Sequence, residues 1–370
     1  MNEIRAAALS DHLYSKAAFR RIPLSGTFEL SPLCNFACRM CYVRKTPQEV
    51  RAHDRPMLQF GDWLRIAREG REQGLLFLLL TGGEPLLWPR FWELYGELVD
   101  MGMLVAINTN GSLIDDEAIA RFRRRPPRRV NITLYGGSDG TYERLCGVRG
   151  VFSRVDRAIR GLKAAGIHVK LNCSLTPDNA ADLEAMVAYA KELGLPLDLA
   201  HYMFPPIRRD PSAIGVNERF TPAETARSRV RGIELQQGMD AARAFLERVK
   251  GGCAEPPGLE EGCYDPVDGR VRCRAGSASF WVTWDGFVTA CGMMPQPRVE
   301  LEGRPFADVW RELTEATAAL RLSGVCARCE NRLLCHPCAA MAAAETGSTE
   351  GVPQYLCHVA KALRRMAEEI

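Results

Sequence analysis

Apolar positions along the chain follow two alternating rhythms. Short runs, either alternating or continuous, recur at 26–31, 75–81, 104–109, 130–135, 169–175 and 197–203. Their length and composition predict strands. Between them lie stretches whose apolar residues fall three and four apart, the spacing of one helix face: 60–73, 89–100, 115–123, one starting at Ser153, and 179–193. Trp63, Leu64 and Ala67 share a face of the first, which stops at Gly74, and Val155, Ile159 and Leu162 share a face of the fourth. Six strand–helix repeats of roughly thirty residues predict an α/β chain with parallel strands and right-handed crossovers.

The rhythm breaks on either side of this region. Residues 1–24 read as a lead-in helix with a basic end. From 206 to 250 the chain is rich in Arg, Pro and Glu, and Thr221-Pro-Ala-Glu224 is a capping box that starts a helix. This stretch reads as a bridge into 251–370, where Asp285-Gly286 between alternating apolar residues predicts a hairpin. The expected organisation is therefore 1–24 lead-in, 25–205 barrel-forming repeats, 206–250 bridge and 251–370 cysteine-rich domain.

Charge and cysteine content narrow the setting. The net charge of +3 over 370 residues gives no global reason to expect nucleic acid or an anionic membrane as a partner. The basic run Arg121-Phe-Arg-Arg-Arg-Pro-Pro-Arg-Arg129 reads as the solvated end of a helix, where cations are favoured; the competing use is a docking patch for an acidic peptide. No leader-like apolar segment and no bilayer-length run is visible, so the expected compartment is cytoplasmic. Fourteen cysteines in such a chain point to metal or catalysis rather than disulfides.

The chemistry concentrates in Cys34-Asn-Phe-Ala-Cys38-Arg-Met-Cys41, directly after the first predicted strand. Three thiolates at this spacing can wrap one face of an inorganic centre. A structural zinc site closes with four protein ligands, whereas a cubane iron–sulfur cluster held by three cysteines leaves one iron open. A zinc knuckle with a distant fourth ligand, or metal-free buried cysteines, are the competing readings. The apolar run 75–80 then leads into Thr81-Gly82-Gly83-Glu84-Pro85. Cysteine loop, helix, strand and Gly-Gly-Glu turn in this order resemble the radical S-adenosylmethionine (SAM) enzymes. The resemblance implies a partial (β/α)6 TIM-like barrel, with Cys34, Cys38 and Cys41 holding a 4Fe-4S cluster. It also implies that Gly82, Gly83 and Glu84 hold the amino group of SAM. Met40 would lie near the adenine. Thr133-Leu-Tyr-Gly136 is similar to the fourth-strand Ser-Leu-Asp-Gly of sulfatase maturases, so Thr133 would approach the SAM carboxylate, with Arg144 the nearest candidate for the arginine of that family. Asn108 and Asn172 on inner strands read as ordinary satisfied polar residues. A reductant such as flavodoxin or ferredoxin is implied as a partner.

Nine of the fourteen cysteines lie from Cys253 onward. Cys273, Gly286 and Cys291, then Cys326-x2-Cys329-x5-Cys335-x2-Cys338, then Cys357, resemble the SPASM extension of radical SAM maturases, departing from it only in the shortened gap between Cys335 and Cys338. The resemblance implies two auxiliary 4Fe-4S clusters, three in all. One would be held by Cys326, Cys329, Cys335 and Cys357, and the other by Cys273, Cys291, Cys338 and an upstream ligand, Cys263 or Cys253. Two zinc sites are the competing use of the CxxC pairs. Cys146 and Cys173 lack ligand spacing and read as small buried hydrophobes.

This architecture implies hydrogen abstraction from a peptide or protein, through thioether formation, carbon–carbon crosslinking or epimerisation. Formylglycine formation on a sulfatase is the second expectation, weakened because Gly292 stands where those maturases carry an aspartate after the cysteine. A small-molecule dehydrogenase is the third. A non-catalytic zinc-binding module would leave the Gly82-Gly83-Glu84 turn unexplained.

Overall fold

The computed structural model describes residues 2–254, 269–271 and 273–369. Six parallel strands carry the repeats: β1 Ser25–Glu29, β2 Phe77–Thr81, β3 Leu104–Thr109, β4 Arg129–Thr133, β5 Val169–Ser174 and β6 Leu197–Ala200. They lie side by side in chain order, β6-β5-β4-β3-β2-β1, as successive right-handed crossovers require. The resulting partial barrel is the fold its sequence repeats predict. Along β5 burial alternates strictly: Val169, Leu171 and Cys173 pack under the helices while Lys170, Asn172 and Ser174 face the other way. The helices Phe60–Glu72 and Phe152–Ala164 bury the faces read from their spacing, with Trp63 packed on Phe28 at 4.9 Å.

The sheet continues past the sixth strand. β7 (Ser279–Val282) pairs in parallel with β1, and β8 (Phe287–Thr289) and β9 (Arg298–Glu300) follow antiparallel, giving nine strands. The predicted hairpin is thus built onto the barrel sheet rather than standing apart in the cysteine-rich domain. Gly26 permits the join: a Cβ there would lie 2.6 Å from the Phe280 ring. On the other flank, Pro222–Gln237, opened by the Thr221/Glu224 capping box, packs with Met239–Lys250 and Gln354–Glu368 around Phe245, Leu246, Val249 and Leu363. The expected bridge and the end of the chain therefore share one small core.

Three local differences from the sequence pattern matter. The helix Asp139–Cys146 fills a stretch with no predicted element; it is capped by Ser138 and ends at Gly147 in the left-handed region (φ 67°). The predicted strand 197–203 ends at Ala200, and the residues beyond it turn into the cavity described below. The predicted helix 179–193 is split into a short 3-10 turn, Ala180–Asp182, and a helix, Leu183–Glu192. Among the described residues no helix is long and apolar enough to cross a membrane.

Candidate functional site

The C-terminal strand ends open onto a cavity of about 390 Å3. Cys34, Cys38 and Cys41 line it from the loop after β1, and Gly82 and Gly83 from the turn after β2. The ends of β3 and β4 add Thr109, Asn110, Thr133 and Tyr135, and the segment after β6 adds Tyr202, Met203 and Phe204. Seventy-odd residues of sequence separate the loop from the ends of β3, and the parallel topology brings them together.

Hydrogen bonds hold the cysteine loop from both sides. The backbone N–H groups of Ala37 and Arg39 donate to the carbonyls of Cys146 (2.8 Å) and Leu145 (3.2 Å), the last residues of the helix that the sequence pattern missed. Asn110 donates through Nδ2 to Asn35 Oδ1 at 2.8 Å, Asn35 Nδ2 donates to Ser112 Oγ at 2.8 Å, and Ser112 Oγ donates back to Asn110 Oδ1 at 2.7 Å. This closed polar ring fixes the loop to the end of β3. Cys34 Sγ accepts from Phe36 N–H and Cys41 Sγ from Arg44 N–H, each at 3.3 Å.

Burial and hydrogen bonds act in opposite directions on the loop thiols. Burial pushes Cys34 up to about 12 and raises Cys41. Cys38 is held lower, chiefly by a hydrogen bond from Cys146 and a second from Tyr135. Among the described residues no three ligand side chains converge as a finished metal cage. The loop nonetheless suits a cluster in its donor set: three sulfurs on one cavity, two of them accepting backbone N–H groups.

The Gly-Gly-Glu turn works differently from the expectation. Gly83 N–H donates to Ser31 O at 2.7 Å and Glu84 N–H to Leu33 O at 2.9 Å, so the turn is zipped onto the approach to Cys34. A Cβ on Gly82 (φ 149°) would sit 2.4 Å from Ser31 O, and one on Gly83 2.3 Å from Leu33 O. The Glu84 carboxylate does not reach the cavity. It is fully buried and accepts from Thr109 Oγ1 (2.8 Å), Asn110 N–H (2.8 Å) and Leu86 N–H (3.2 Å). Burial raises its pKa to about 7 against the lowering effect of those donors. Its acceptor capacity is largely used inside the protein, so the cavity face of this turn is Gly82 and Gly83, and Glu84 fastens β2 to β3 beneath it.

Residues 28–190 match the family model of the radical SAM superfamily. This part of the chain is a radical SAM domain. It is 27% identical over 343 residues to the AdoMet-dependent heme synthase of Methanosarcina barkeri, covering 89% of this chain and 95% of that protein. Among solved structures, Streptococcus suis SuiB bound to its precursor peptide SuiA aligns with TM-score 0.66 and 18% identity, over 94% of this chain and 80% of that one. The anSMEcpe structure with AdoMet and the Cp18Cys peptide aligns with TM-score 0.66 and 17% identity, over 94% and 97%. The superfamily's chemistry makes the protein an enzyme that uses SAM and a 4Fe-4S cluster, and the C-terminal cysteine pattern fits its SPASM-type members.

The remaining predicted contacts divide. Met40 and Thr133 line the radical SAM cavity. Arg144 does not; its guanidinium is held outside the lining, donating to Thr141 Oγ1 at 3.0 Å and to Asp178 O at 3.5 Å, beside the Asp178 carboxylate that pairs with Arg39 of the loop. Asn108 lines the cavity and accepts from Asn131 Nδ2 at 2.7 Å, while Asn172 lies outside that lining. The basic run lies outside the cavity lining and is partly engaged. Arg121 pairs with Glu117 (2.5 Å), Arg125 with Asp100 (2.9 Å), Arg128 lies over Phe77, and Arg129 begins β4 at the opposite end of the strand from Thr133.

In the C-terminal region burial raises Cys326, Cys335 (to about 12) and Cys357, with mutual effects among these three and Cys329 that put the four in one neighbourhood. Cys291 is raised by burial and feels Cys273, a separate pairing. Cys338 Sγ accepts from Met341 N–H at the start of Ala339–Thr346. Cys263 lies outside the described residues; Cys253 lies within them, its N–H bonded to Arg248 O at 3.0 Å.

Two buried ion pairs tie this region to the barrel, and neither had a signal in sequence. Arg208 donates to both carboxylate oxygens of Glu29 (2.9 and 3.0 Å) and to Gly292 O at 2.8 Å, next to Cys291, while Trp281 Nε1 donates to Glu29 at 2.9 Å. Arg219 pairs with Glu345 at 2.5 Å, and the cavity-lining Tyr202 donates its hydroxyl to the same carboxylate.

Proposed function

We propose that this radical SAM enzyme abstracts hydrogen from a peptide or protein substrate and carries three 4Fe-4S clusters. When bound, SAM and a reduced cluster would supply a 5′-deoxyadenosyl radical, one electron from the cluster cleaving the sulfonium carbon–sulfur bond and leaving methionine. The chain's own residues orient and shield that chemistry. Cys34, Cys38 and Cys41 would hold the cluster, backbone of Gly82 and Gly83 would meet the amino group, Thr133 and Met40 would flank the ligand, and Tyr202, Met203 and Phe204 would exclude water on the β6 side. Cys326, Cys329, Cys335 and Cys357 would hold one auxiliary cluster. Cys273, Cys291 and Cys338 would hold the other, with Cys253 or Cys263.

The observation that supports the substrate class is the likeness of fold, over 94% of this chain, to SuiB with its precursor peptide and to anSMEcpe with the Cp18Cys peptide. A second reading has its own support. The M. barkeri heme synthase aligns over nearly its whole length, which favours heme formation. The test is an anaerobic assay with SAM and reductant, offering in parallel a short peptide encoded beside the enzyme and a set of porphyrin precursors. The peptide reading expects a mass change on the peptide with matching 5′-deoxyadenosine. Heme formation, or turnover of a free small molecule with the peptide unmodified, would overturn it.

A further inference from the structure

The reaction cavity is lined by one charged side chain, which no acidic side chain pairs with among the described residues and whose charge acts on the Cys38 thiol. Among its lining residues no aspartate or glutamate occurs, and Arg44, three positions beyond Cys41, is the lone arginine or lysine. The carboxylate that could have balanced it, Glu84, is turned inward. Arg44 Nε is buried without a hydrogen-bond partner, and the guanidinium makes no ion pair among the described residues. Three other arginines of the region are paired: Arg208 with Glu29, Arg219 with Glu345, and Arg39 with Glu218 and Asp178. Glu49, the nearest acid in sequence, is occupied in the Thr46 capping box.

Arg44 is half-buried, and leaving its Nε out of water without a partner is costly. Its planar fork suits a carboxylate, which it can bind through two parallel hydrogen bonds. We propose that Arg44 is the carboxylate anchor of the reaction cavity. The carboxylate is either the α-carboxylate of SAM or one borne by the substrate. The proposal rests on the reading that SAM occupies this cavity.

The test uses the full chain, anaerobically reconstituted, as wild type, Arg44→Gln and Arg44→Lys, with Arg144→Ala as a control for an arginine outside the cavity. SAM and decarboxylated SAM are titrated by equilibrium dialysis, and glutarate serves as a free carboxylate probe on SAM-loaded protein. If Arg44 holds the SAM carboxylate, Arg44→Gln weakens SAM about 10- to 100-fold. It then shrinks the preference for SAM over its decarboxylated analogue, Arg44→Lys falls in between, and Arg144→Ala matches wild type. If it holds a substrate carboxylate, SAM affinity is unchanged while glutarate binding is lost in Arg44→Gln. Wild-type affinities for all three probes, with thermal melting also unchanged, would overturn the proposal. So would a changed cluster midpoint potential with no change in binding, since Arg44 would then only balance cluster charge. Failure of the wild-type chain itself to bind SAM would strike the underlying reading instead.

Discussion

Replacing Cys34, Cys38 and Cys41 together by alanine is expected to abolish 5′-deoxyadenosine formation and to remove about a third of the bound iron, the share of one 4Fe-4S cluster among three. The three sulfurs line one cavity beside Gly82 and Gly83. The loop that carries them is held by the carbonyls of Leu145 and Cys146 and by the Asn35–Ser112–Asn110 ring, all of which survive the substitution. The variant should therefore fold, which thermal melting checks, and lose chemistry without losing the C-terminal iron. Iron and sulfide analysis beside wild type is the measurement. Complete loss of iron would mean that the C-terminal cysteines do not hold clusters on their own.

Glu84→Ala is expected to cost fold stability before it costs SAM. The substitution strands two backbone N–H groups and the Thr109 hydroxyl in a fully buried place. Unsatisfied buried donors cost about 1–3 kcal/mol each, giving a loss on the order of 5 kcal/mol. At about 2.1 cal/mol/K of unfolding entropy per residue, a chain of 370 residues would lose roughly 6 °C in Tm. The melt of the SAM-free protein is the deciding readout. An unchanged Tm with weakened SAM binding would mean that the carboxylate faces the ligand after all.

What could be read in advance follows from how local each signal is. Helix faces such as Val155, Ile159 and Leu162 repeat every turn, and the β5 alternation repeats every second residue, so both are written in a few neighbouring positions. The Cys34, Cys38 and Cys41 spacing and the Gly-Gly-Glu turn are likewise local. The helix Asp139–Cys146 escaped because eight largely polar residues give too little periodicity, although Ser138 and Gly147 mark its two ends. The pairing of β7 with β1 joins residues some 250 positions apart; its trace in sequence is the smallness of Gly26 under Phe280. Side-chain direction was the least legible. The pattern identifies Glu84 as important, but only the packing of β3 turns it inward, and the same packing leaves Arg44 in the cavity while Arg144 points to Asp178. The Asn35–Ser112–Asn110 ring links the cysteine loop to the end of β3 through positions that the cysteine spacing leaves unspecified.

The central claim is that Cys34, Cys38 and Cys41 open a cavity in which SAM is cleaved reductively. Its most direct test is mass-spectrometric quantification of 5′-deoxyadenosine from the anaerobically reconstituted, reduced full chain incubated with SAM and no substrate. The account predicts slow formation of 5′-deoxyadenosine that requires the reductant and disappears when the three cysteines are replaced. Iron-loaded, reduced protein that leaves SAM intact would contradict it.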